Sequence, residues 1–440
     1  MSNFININTT SSFDSMKSEF ERMFDKLNNK LSSIPIYASW VKFQVGNFAL
    51  DTSDPNQQFF VSLNYTKNGS GKANSFTIMI AYEPKMSGNI VDTSDVNIID
   101  KQLCIYDGNN KDKLKCWLQY GYGHGPDKLV SPILEGIVTD YTPELRDGIL
   151  YYTITGYSSL IQAVEETITT DEMKNIRPTE AIKKVIEDNI GSNSKTNLGY
   201  VVQYAPGTEG SDKVIETIPG VSDKNLFEYI EQTLNMAEVD GYSNTNNTYK
   251  PFYIYNITET KEEKIIMIEK VDPNNILDNK ISNVVFEWSS QNNNFVKSWQ
   301  PNIKGSVLLA QDYHYEKGVS EWGIDDSGEI VENKNLLSSP VAMNTDPDKP
   351  EASSIDEVTS LTEWSKAIQY SYEASLTIQG MPCDIPIGMF IKVIPLLYGK
   401  PHHSAGTYMI KKSSDTIDSG GFQTTIDLIK IDVSDTRKEN

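Results

Sequence analysis

Alternation of apolar and polar residues, broken at short intervals by glycine, is the feature that most limits what this chain can fold into. Between residues 40 and 161 the alternation recurs in WVKFQVGNFAL, FFVSLNY, SFTIMIAY, QLCIYD, KCWLQYGY, PILEGIVTDY and DGILYYTITGY. A period of two is typical of β-strands, and no long helix separates these segments. We therefore predict an antiparallel β-barrel or sandwich over residues 40–161, which we interpret as a first barrel domain.

The same alternation returns after residue 281 and continues into the last strand, GGFQTTIDLIKI. Both β segments end alike, with a strand, a short glycine turn (RDG or DSGG) and a final alternating strand. The alternation slips at Ile429 and Ile431, which predicts a bulge near a barrel rim. We predict a second, related barrel domain over residues 281–440, with a long acidic surface loop near 316–360.

Helix and strand signals alternate between the two β segments. RPTEAIKKVIEDNIG starts with Pro178 in the first turn and ends at Gly191, as a helix does. SDKNLFEYIEQTLNMA is a second helix, for which Ser222 is a candidate N-cap. FYIYNITETKEEKIIMIEKV reads as a hairpin with the turn ETKEEK. Residues 162–280 are thus predicted to form a small α+β insert in a mainly β protein.

Residues 11–31 show helical periodicity instead, and with the following linker they make up a predicted N-terminal segment of residues 1–39. Apolar residues recur at steps of three and four: Phe13, Met16, Phe20, Met23, Phe24, Leu27 and Leu31. The amphipathic helix can lie on its own domain, which we favour, or dock on a neighbouring subunit. In the second case Phe20 and Phe24 are interface candidates.

Composition narrows the function classes. Sixty acidic residues against 39 basic ones leave a formal net charge of −21, which repels phosphate backbones and anionic membrane surfaces. No segment approaches the ~18 apolar residues of a membrane span, and MSNFININTTSSF does not resemble a signal peptide. We expect a protein made in the cytoplasm, without stable membrane binding and without nucleic-acid binding through its bulk surface.

Motifs for catalysis, cofactors or metals are weak. NGSGKANS has Ala73 where a phosphate loop needs Ser or Thr, and GYGHGPD lacks the strand-to-helix context of a dinucleotide loop. PHHSAG holds His402 and His403, but adjacent residues are expected to point apart and not to share an ion. The three cysteines do not form a disulfide or zinc pattern. We therefore assign no catalytic residue, no cofactor and no metal.

Tryptophan supplies the remaining interface candidates. Trp288 and Trp299 flank the NNN turn, and for both we favour packing in a core over a role in an interface. Trp322 and Trp364 bound the acidic loop, whose neighbouring residues offer too little apolar surface to bury them. These two are therefore our stronger candidates for contacts with a partner.

Two stretches in particular, LTIQGMPCDIPIGMFIKV and GTYMIKKSSDTIDSGGFQTTIDLIKI, resemble the closing strands of baseplate central hub proteins of contractile-tailed phages. This family includes late-control D-type hubs and the hub half of type VI secretion spike proteins. The order of parts is similar too: LEGIVTDY and DGILYYTITGYSSLI, then VSDKNLFEYIEQTLNMA, then NNNFVKSWQPN. The resemblance covers most of residues 40–435 through short, glycine-based motifs.

The resemblance implies a structural role. Hubs of this type are homotrimers in which two related barrels per chain form a ring of six similar positions. Such a ring would join a six-fold tail tube, or a tube-initiator protein, to a trimeric central spike, and would contact baseplate wedge proteins while DNA only passes through its channel. It would be located in the virion tail baseplate and assembled in the host cytoplasm. The same resemblance fits a phage-derived bacteriocin or a secretion machine.

An alternative from a different class stays open at this point, namely a cell-wall-active hydrolase or a carbohydrate-binding tail protein built on similar strands. A glycosidase needs two carboxylates on facing walls of a cleft, and among 60 acidic residues the sequence singles out no such pair.

Overall fold

The computed structural model describes residues 13–30, 39–46, 48–53, 60–68, 72–82, 85–87, 90–92, 114–123, 128–165, 167–192, 194, 197–240, 251–259, 264–272, 281–289, 295–303, 310–314, 318–324, 330–332 and 372–430. Four helices fall in these ranges: α1 (Phe13–Lys30), α2 (Ile161–Glu165), α3 (Pro178–Ile190) and α4 (Leu226–Asn235). The rest of the regular structure is β, so the mainly β prediction is confirmed, as is the N-terminal helix.

Strands occur in three runs. The first run contains β1 (Ser39–Val45), β2 (Phe48–Asp51), β3 (Phe60–Asn68), β4 (Ser75–Tyr82), β5 (Lys85–Ser87), β6 (Ile90–Asp92), β7 (Lys115–Tyr122), β8 (Leu129–Val130), β9 (Leu134–Arg146) and β10 (Ile149–Tyr157). The middle run contains β11 (Thr167–Thr170), β12 (Met173–Ile176), β13 (Val201–Tyr204), β14 (Ile215–Ile218), β15 (Val221–Asn225), β16 (Phe252–Glu259) and β17 (Lys264–Val271). The last run contains β18 (Ile281–Ser289), β19 (Val296–Ile303), β20 (Ala310–His314), β21 (Gly318–Ile324), β22 (Ile330–Glu332), β23 (Tyr372–Gln379), β24 (Phe390–Leu397), β25 (Lys400–Pro401), β26 (Gly406–Asp418) and β27 (Gly421–Lys430).

One 15-stranded sheet contains most strands of the first and last runs, in the order β19-β23-β27-β26-β3-β4-β10-β9-β7-β1-β2. The prediction of two closed barrels therefore has to be corrected. In the residues that the structure describes, β26 pairs with β27 and β24 of its own half, but its second part also pairs with β3 of the other half. The two halves are joined edge to edge by this pairing.

The two halves repeat the same arrangement of five strands. We call β3-β4-β10-β9-β7 the first β unit and β19-β23-β27-β26-β24 the second β unit, and all four pairings in each are antiparallel. Their bulges coincide too. The ladder skips Thr139 in β9 and Lys411 in β26, which are matched positions, and it skips Val61 in β3 and Lys297 in β19.

The bulge predicted in the last strand lies elsewhere. β27 carries no extra residue up to Lys430, and the residue that the ladder skips is Lys411 in β26. Ile431 lies outside the described residues. Ile429 is apolar for a different reason, since it packs on the second face of the sheet against Phe252 and Val271 of the middle run. Burial on both faces, and not a bulge, breaks the alternation there.

A single hydrophobic core serves both β units, because residues such as Ile78 and Tyr120 of the first unit cluster with Leu376 and Ile426 of the second. Whether the three ranges predicted as domains fold separately stays a prediction. The start of the predicted acidic loop differs from expectation, since β21 and β22 form a three-stranded sheet with β20. Val319, Trp322, Ile330 and Val331 are good strand formers that the acidic average composition of the loop conceals.

The middle run packs around a core of its own. Helices α3 and α4 bury their apolar faces against β16 and β17, which form the predicted hairpin. Pro178 lies in the first turn of α3 and Gly191 is its C-cap, as predicted. Ser222 is not the N-cap of α4, because the chain is still extended in β15 at that position and the helix starts only at Leu226. Asn225 takes that role instead in a capping box with Glu228.

Candidate functional site at the joint between the two β units

The two β units meet where residues 412–417 of β26 pair antiparallel with residues 63–68 of β3, and we call this pairing the joint. Alternation along β26 turns Ser413, Asp415 and Ile417 to the buried side of the sheet. On the other side Ser414 shares a hydrogen bond with Thr66, at 3.3 Å between the two hydroxyl oxygens. The joint therefore combines a backbone ladder with side-chain contacts on both faces.

A buried ion pair holds one end of the joint. The Lys67 ammonium of β3 contacts the Asp384 carboxylate and donates to the Ile385 carbonyl at 3.1 Å. The Lys67 side chain is only 4% exposed and that of Asp384 16%. A buried charge without its partner is strongly unfavourable, so Lys67 ties the first β unit to the segment that precedes β24.

A buried carboxyl lies at the centre of the joint. Asp415 accepts hydrogen bonds from the Tyr120 hydroxyl at 2.6 Å and from the Thr424 hydroxyl at 2.5 Å. Thr424 Oγ1 in turn accepts from the Met381 amide at 2.8 Å. Burial raises the pKa of Asp415 to about 7, although both hydrogen bonds act to lower it. Burial and the neighbouring Asp415 raise the pKa of Tyr120 well above its usual value.

A second tyrosine of β7 makes the next contact between the units. The Gln379 amide of β23 donates to the Tyr122 hydroxyl at 2.8 Å and to the Phe422 carbonyl at 3.1 Å. The Phe422 ring lies 5.6 Å from the Tyr120 ring and 5.1 Å from the Tyr122 ring, centroid to centroid. Glycine is required at position 380, because a Cβ there would lie 2.1 Å from Cγ of Phe422.

These contacts can fix the relative orientation of the two units. Tyr120 with Asp415 and Tyr122 with Gln379 join the two units directly, and these four side chains are buried. Such a network favours one arrangement over others, because misalignment would leave buried hydrogen-bonding groups without partners. The chemistry of the joint is that of a rigid structural contact.

A further buried carboxyl fixes the middle run to the first β unit. Glu259 of β16 accepts hydrogen bonds from the Tyr200 hydroxyl and from the Asn74 amide, the latter at 3.0 Å. Burial raises its pKa. Lys264 lies beside this group and donates to the Ser159 hydroxyl at 3.0 Å.

The structure places the predicted interface residues of α1 inside the chain. Phe20 is fully buried and Phe24 is 7% exposed. The Phe24 ring makes edge-to-face contacts with Phe286 at 5.0 Å and Phe295 at 5.1 Å. Contact of α1 with a second subunit stays a prediction. Trp322 lies in β21, and Trp364 lies outside the described residues.

The two adjacent histidines do not point apart, so that argument from the sequence is wrong. The His402 and His403 rings lie 3.8 Å apart between centroids. His402 Nδ1 shares a hydrogen bond with the Ser404 hydroxyl, which also accepts from the Trp299 indole at 3.0 Å. Burial and the neighbouring His403 lower the pKa of His402. Trp299 is half-buried and packs on Tyr408 at 5.3 Å.

The cysteines that the structure describes, Cys116 and Cys383, are buried free thiols, and burial raises the pKa of both. Within the described ranges no group of three or more His, Cys, Asp or Glu residues could hold a metal ion. Among the helices of those same ranges, none combines the length and the apolar character that a membrane crossing requires.

Sequence reasoning missed the residues of the joint, namely Lys67, Asp384, Asp415 and Gln379. One signal for Asp415 was present, since it occupies an inward position of an alternating strand between Ser413 and Ile417. A carboxyl at such a position needs buried hydrogen-bond donors. Its partner Thr424 is nine residues away, but Tyr120 lies 295 residues away in the chain, so the pattern alone could not name that partner.

The fold of this chain is similar to that of known tail proteins. No protein-family model matches the chain, and no curated protein sequence matches it. A tail protein from Neisseria meningitidis MC58 superposes with a TM-score of 0.52 at 11% identity, covering 90% of this chain and 97% of that protein. The 43 kDa tail protein of prophage MuSo2 from Shewanella oneidensis superposes with a TM-score of 0.51 at 11% identity, covering 90% and 98%.

The chain therefore has the fold of phage tail proteins, over nearly its whole length and theirs. The resemblance to tail proteins that the sequence motifs indicated is therefore confirmed for the fold.

Proposed function

We propose that this protein is a structural hub of a contractile-tail baseplate, in which three copies form a ring. Each copy contributes two β units, so the ring offers six similar positions around its axis. Such a ring can meet a hexameric tail tube on one face and a trimeric central spike on the other. The protein is then a symmetry adaptor in the virion tail, assembled in the host cytoplasm, and it carries out no reaction.

The observation that carries this proposal is the internal repeat. Two units with the same strand order, the same antiparallel pairings and coincident bulges lie in one chain and share a core. A repeat of this kind lets one chain occupy two nearly equivalent positions in a cyclic assembly. The likeness to tail proteins supports placing that assembly in a phage tail.

The proposed partners follow from the geometry of such a ring. They are the tail tube or a tube-initiator protein, the central spike and the baseplate wedges, with DNA only passing through the bore. The net charge of −21 supports passage without retention, because retention needs Lys or Arg to displace counterions. Trp322, Trp364 and the outer face of α1 are the surfaces proposed for these contacts.

Assembly state tests the proposal. Mass photometry of the purified chain should show a species of three times 49.4 kDa, and negative-stain images should show a ring. A chain that remains monomeric across the micromolar range contradicts the proposal. A monomer that clears peptidoglycan in a zymogram would favour the wall-active alternative in its place.

A further inference from the structure

The outer half of β9 is an exposed strand edge. Residues 140–146 pair with β10 on one side, whereas the pairing of β9 with β7 ends at Ile137. In the ranges that the structure covers, no strand pairs with the other side of residues 140–146. Tyr141, Pro143 and Leu145 form an apolar row along this segment, and Leu145 is 72% exposed. Natural proteins seldom leave such an edge without a cover.

The internal repeat shows what covers the equivalent edge in the second β unit. Each hairpin is closed by one residue pair, Arg146 with Ile149 in the first unit and Asp418 with Gly421 in the second. Matching these closing pairs makes the outer half of β9 equivalent to residues 412–417 of β26, which form the joint. The residues equivalent to Tyr141, Pro143 and Leu145 are Ser413, Asp415 and Ile417, and all three are buried.

The strand equivalent to β3 is also at an edge. β3 pairs with β4 as β19 pairs with β23, with the bulge at the same place, so Leu63 is equivalent to Trp299. In the part of the chain that is described, β19 ends the sheet and pairs only with β23. The described residues thus contain one joint, between β26 and β3. They also contain the two strands equivalent to it, the outer half of β9 and β19, but these lie at separate edges of the sheet and do not pair with each other.

We propose that the outer half of β9 pairs antiparallel with β19 of a second copy of this chain, in the register of the joint. The inference rests on the proposed trimer and names its subunit interface. Because the two edges are different surfaces, the contact is head-to-tail, and such contacts form a closed ring when the rotation between subunits divides a full turn. In a ring of three copies, each chain joins its own two β units through β26 and β3, and it joins the next copy through β9 and β19. The two kinds of joint then alternate around the six β units.

The register brings complementary side chains together. Transferring the pairs Ile417 with Leu63, Thr416 with Asn64, and Ser414 with Thr66 to the new joint gives Leu145 opposite Trp299, Glu144 opposite Gln300, and Thr142 opposite Asn302. The first pair is apolar, as in the joint, where Ile417 and Leu63 are 2% and 0% exposed. In the other two pairs an amide can donate to a carboxylate or exchange a hydrogen bond with a hydroxyl.

One pair makes the joint between chains weaker than the joint within the chain. Where Asp415 faces Tyr65, the second joint has Pro143 opposite Pro301. Arg146 and Ile149 close a two-residue turn, so their backbone groups bond to each other and every second residue of β9 from there on turns its backbone groups away from β10. The nitrogen of Pro143 therefore faces the outer edge of β9, and by the repeat the nitrogen of Pro301 faces the outer edge of β19. Neither residue can donate there, so the central ladder bonds are missing and the flanking pairs hold the contact.

Disulfide trapping tests the register directly. Thr142→Cys combined with Asn302→Cys should give covalent dimers and trimers on a non-reducing gel, which a reductant dissolves. The matched control is Thr66→Cys with Ser414→Cys, the same pair in the joint, whose hydroxyls lie 3.3 Å apart. It should close within one chain, leaving the band at monomer size and removing two free thiols. Thr142→Cys with Gln300→Cys is displaced by two residues and should trap far less.

A charge at the apolar pair supplies a second measurement. Leu145→Glu should raise the concentration at which half of the chains are assembled by at least tenfold, with an unchanged circular dichroism spectrum. Val214→Glu, at a residue that is 54% exposed and far from both edges in the sequence, should leave assembly unchanged.

The outcomes separate this inference from the proposed function. A trimer in mass photometry that gives no covalent multimers, while the control pair closes, overturns the β9–β19 pairing and leaves the trimer intact. Stronger trapping by the displaced pair overturns the register. A chain that is monomeric at every concentration overturns both.

Discussion

Asp415→Asn is the variant that most directly tests the buried joint. Asp415 lies between the hydroxyls of Tyr120 and Thr424, at 2.6 and 2.5 Å. When the carboxyl is protonated, one oxygen donates to Tyr120 while the other still accepts from Thr424. An asparagine amide can make the same two contacts, so the variant reproduces the protonated form at every pH.

The magnitude follows from the pKa. Burial moves the pKa of Asp415 from 3.8 to about 7 in the folded protein, which corresponds to about 4 kcal/mol. Because the folded value is the higher one, this stability is complete below the unfolded pKa, declines as pH rises from about 4 to 7, and is absent above that. The variant has no carboxyl at this position and should show no such decline.

Urea unfolding from pH 4 to pH 8, followed by tyrosine and tryptophan fluorescence, measures the effect. The unfolding free energy of Asp415→Asn minus that of the wild type should grow by about 4 kcal/mol across this range and approach zero at its acid end. Taking the difference cancels the other titrating groups, and a fixed protein concentration removes the contribution of assembly. Asp171→Asn, the same substitution at an exposed position, is the matched control.

A difference that stays constant with pH would refute the reasoning. So would a wild type that gains on the variant as pH rises, because the two hydroxyls would then stabilise the charged carboxylate more than burial opposes it.

Two further predictions concern the contacts that surround the joint. Lys67→Met leaves the Asp384 carboxylate without its ammonium and should lower the unfolding free energy by about 3–5 kcal/mol. The double variant Lys67→Met with Asp384→Leu should regain most of that loss. Lys411→Met, in an exposed ion pair, should change the unfolding free energy by less than about 1 kcal/mol. Equal losses for Lys67→Met and Lys411→Met in urea titrations would contradict the burial of the first pair. Phe24→Ala removes a ring packed on Phe286 and Phe295 and should lower the unfolding free energy by about 3–5 kcal/mol, against less than about 1 kcal/mol for the neighbouring Arg22→Ala. If Phe24→Ala and Arg22→Ala lower the unfolding free energy equally, α1 does not pack on Phe286 and Phe295.

Local structure was predictable from the sequence because short-range rules determine it. The turn Asp147-Gly148 between alternating strands predicts the β9–β10 hairpin, and both residues have the positive φ that a two-residue turn requires, at 51° and 79°. The hairpin of β16 and β17 and the helix begun by Pro178 follow from similar rules. Even the N-cap of α4 was misplaced by only three residues, because Ser222 and Asn225 suit that position equally well.

Contacts between distant segments were not predictable in the same way. Alternation shows that β3 and β26 are strands with one buried side, but it does not say which strand lies beside which. Closed barrels were the natural expectation because closure removes both edges of each half. The chain covers those edges partly by joining the two halves through β26 and β3, which depends on residues about 350 positions apart such as Thr66 and Ser414.

The position of β26 in the chain has a consequence for biosynthesis. Translation proceeds at about 5–20 residues per second. Thr66 therefore leaves the ribosome roughly 20–70 s before Ser414, which lies 348 residues later. Throughout that interval the edge of β3 is without its strand, and for most of it Lys67 is without the carboxylate of Asp384. Nascent chains that stall before residue 412 should be substrates for chaperones and should aggregate when released, because an unpaired hydrophobic edge is open to any other strand.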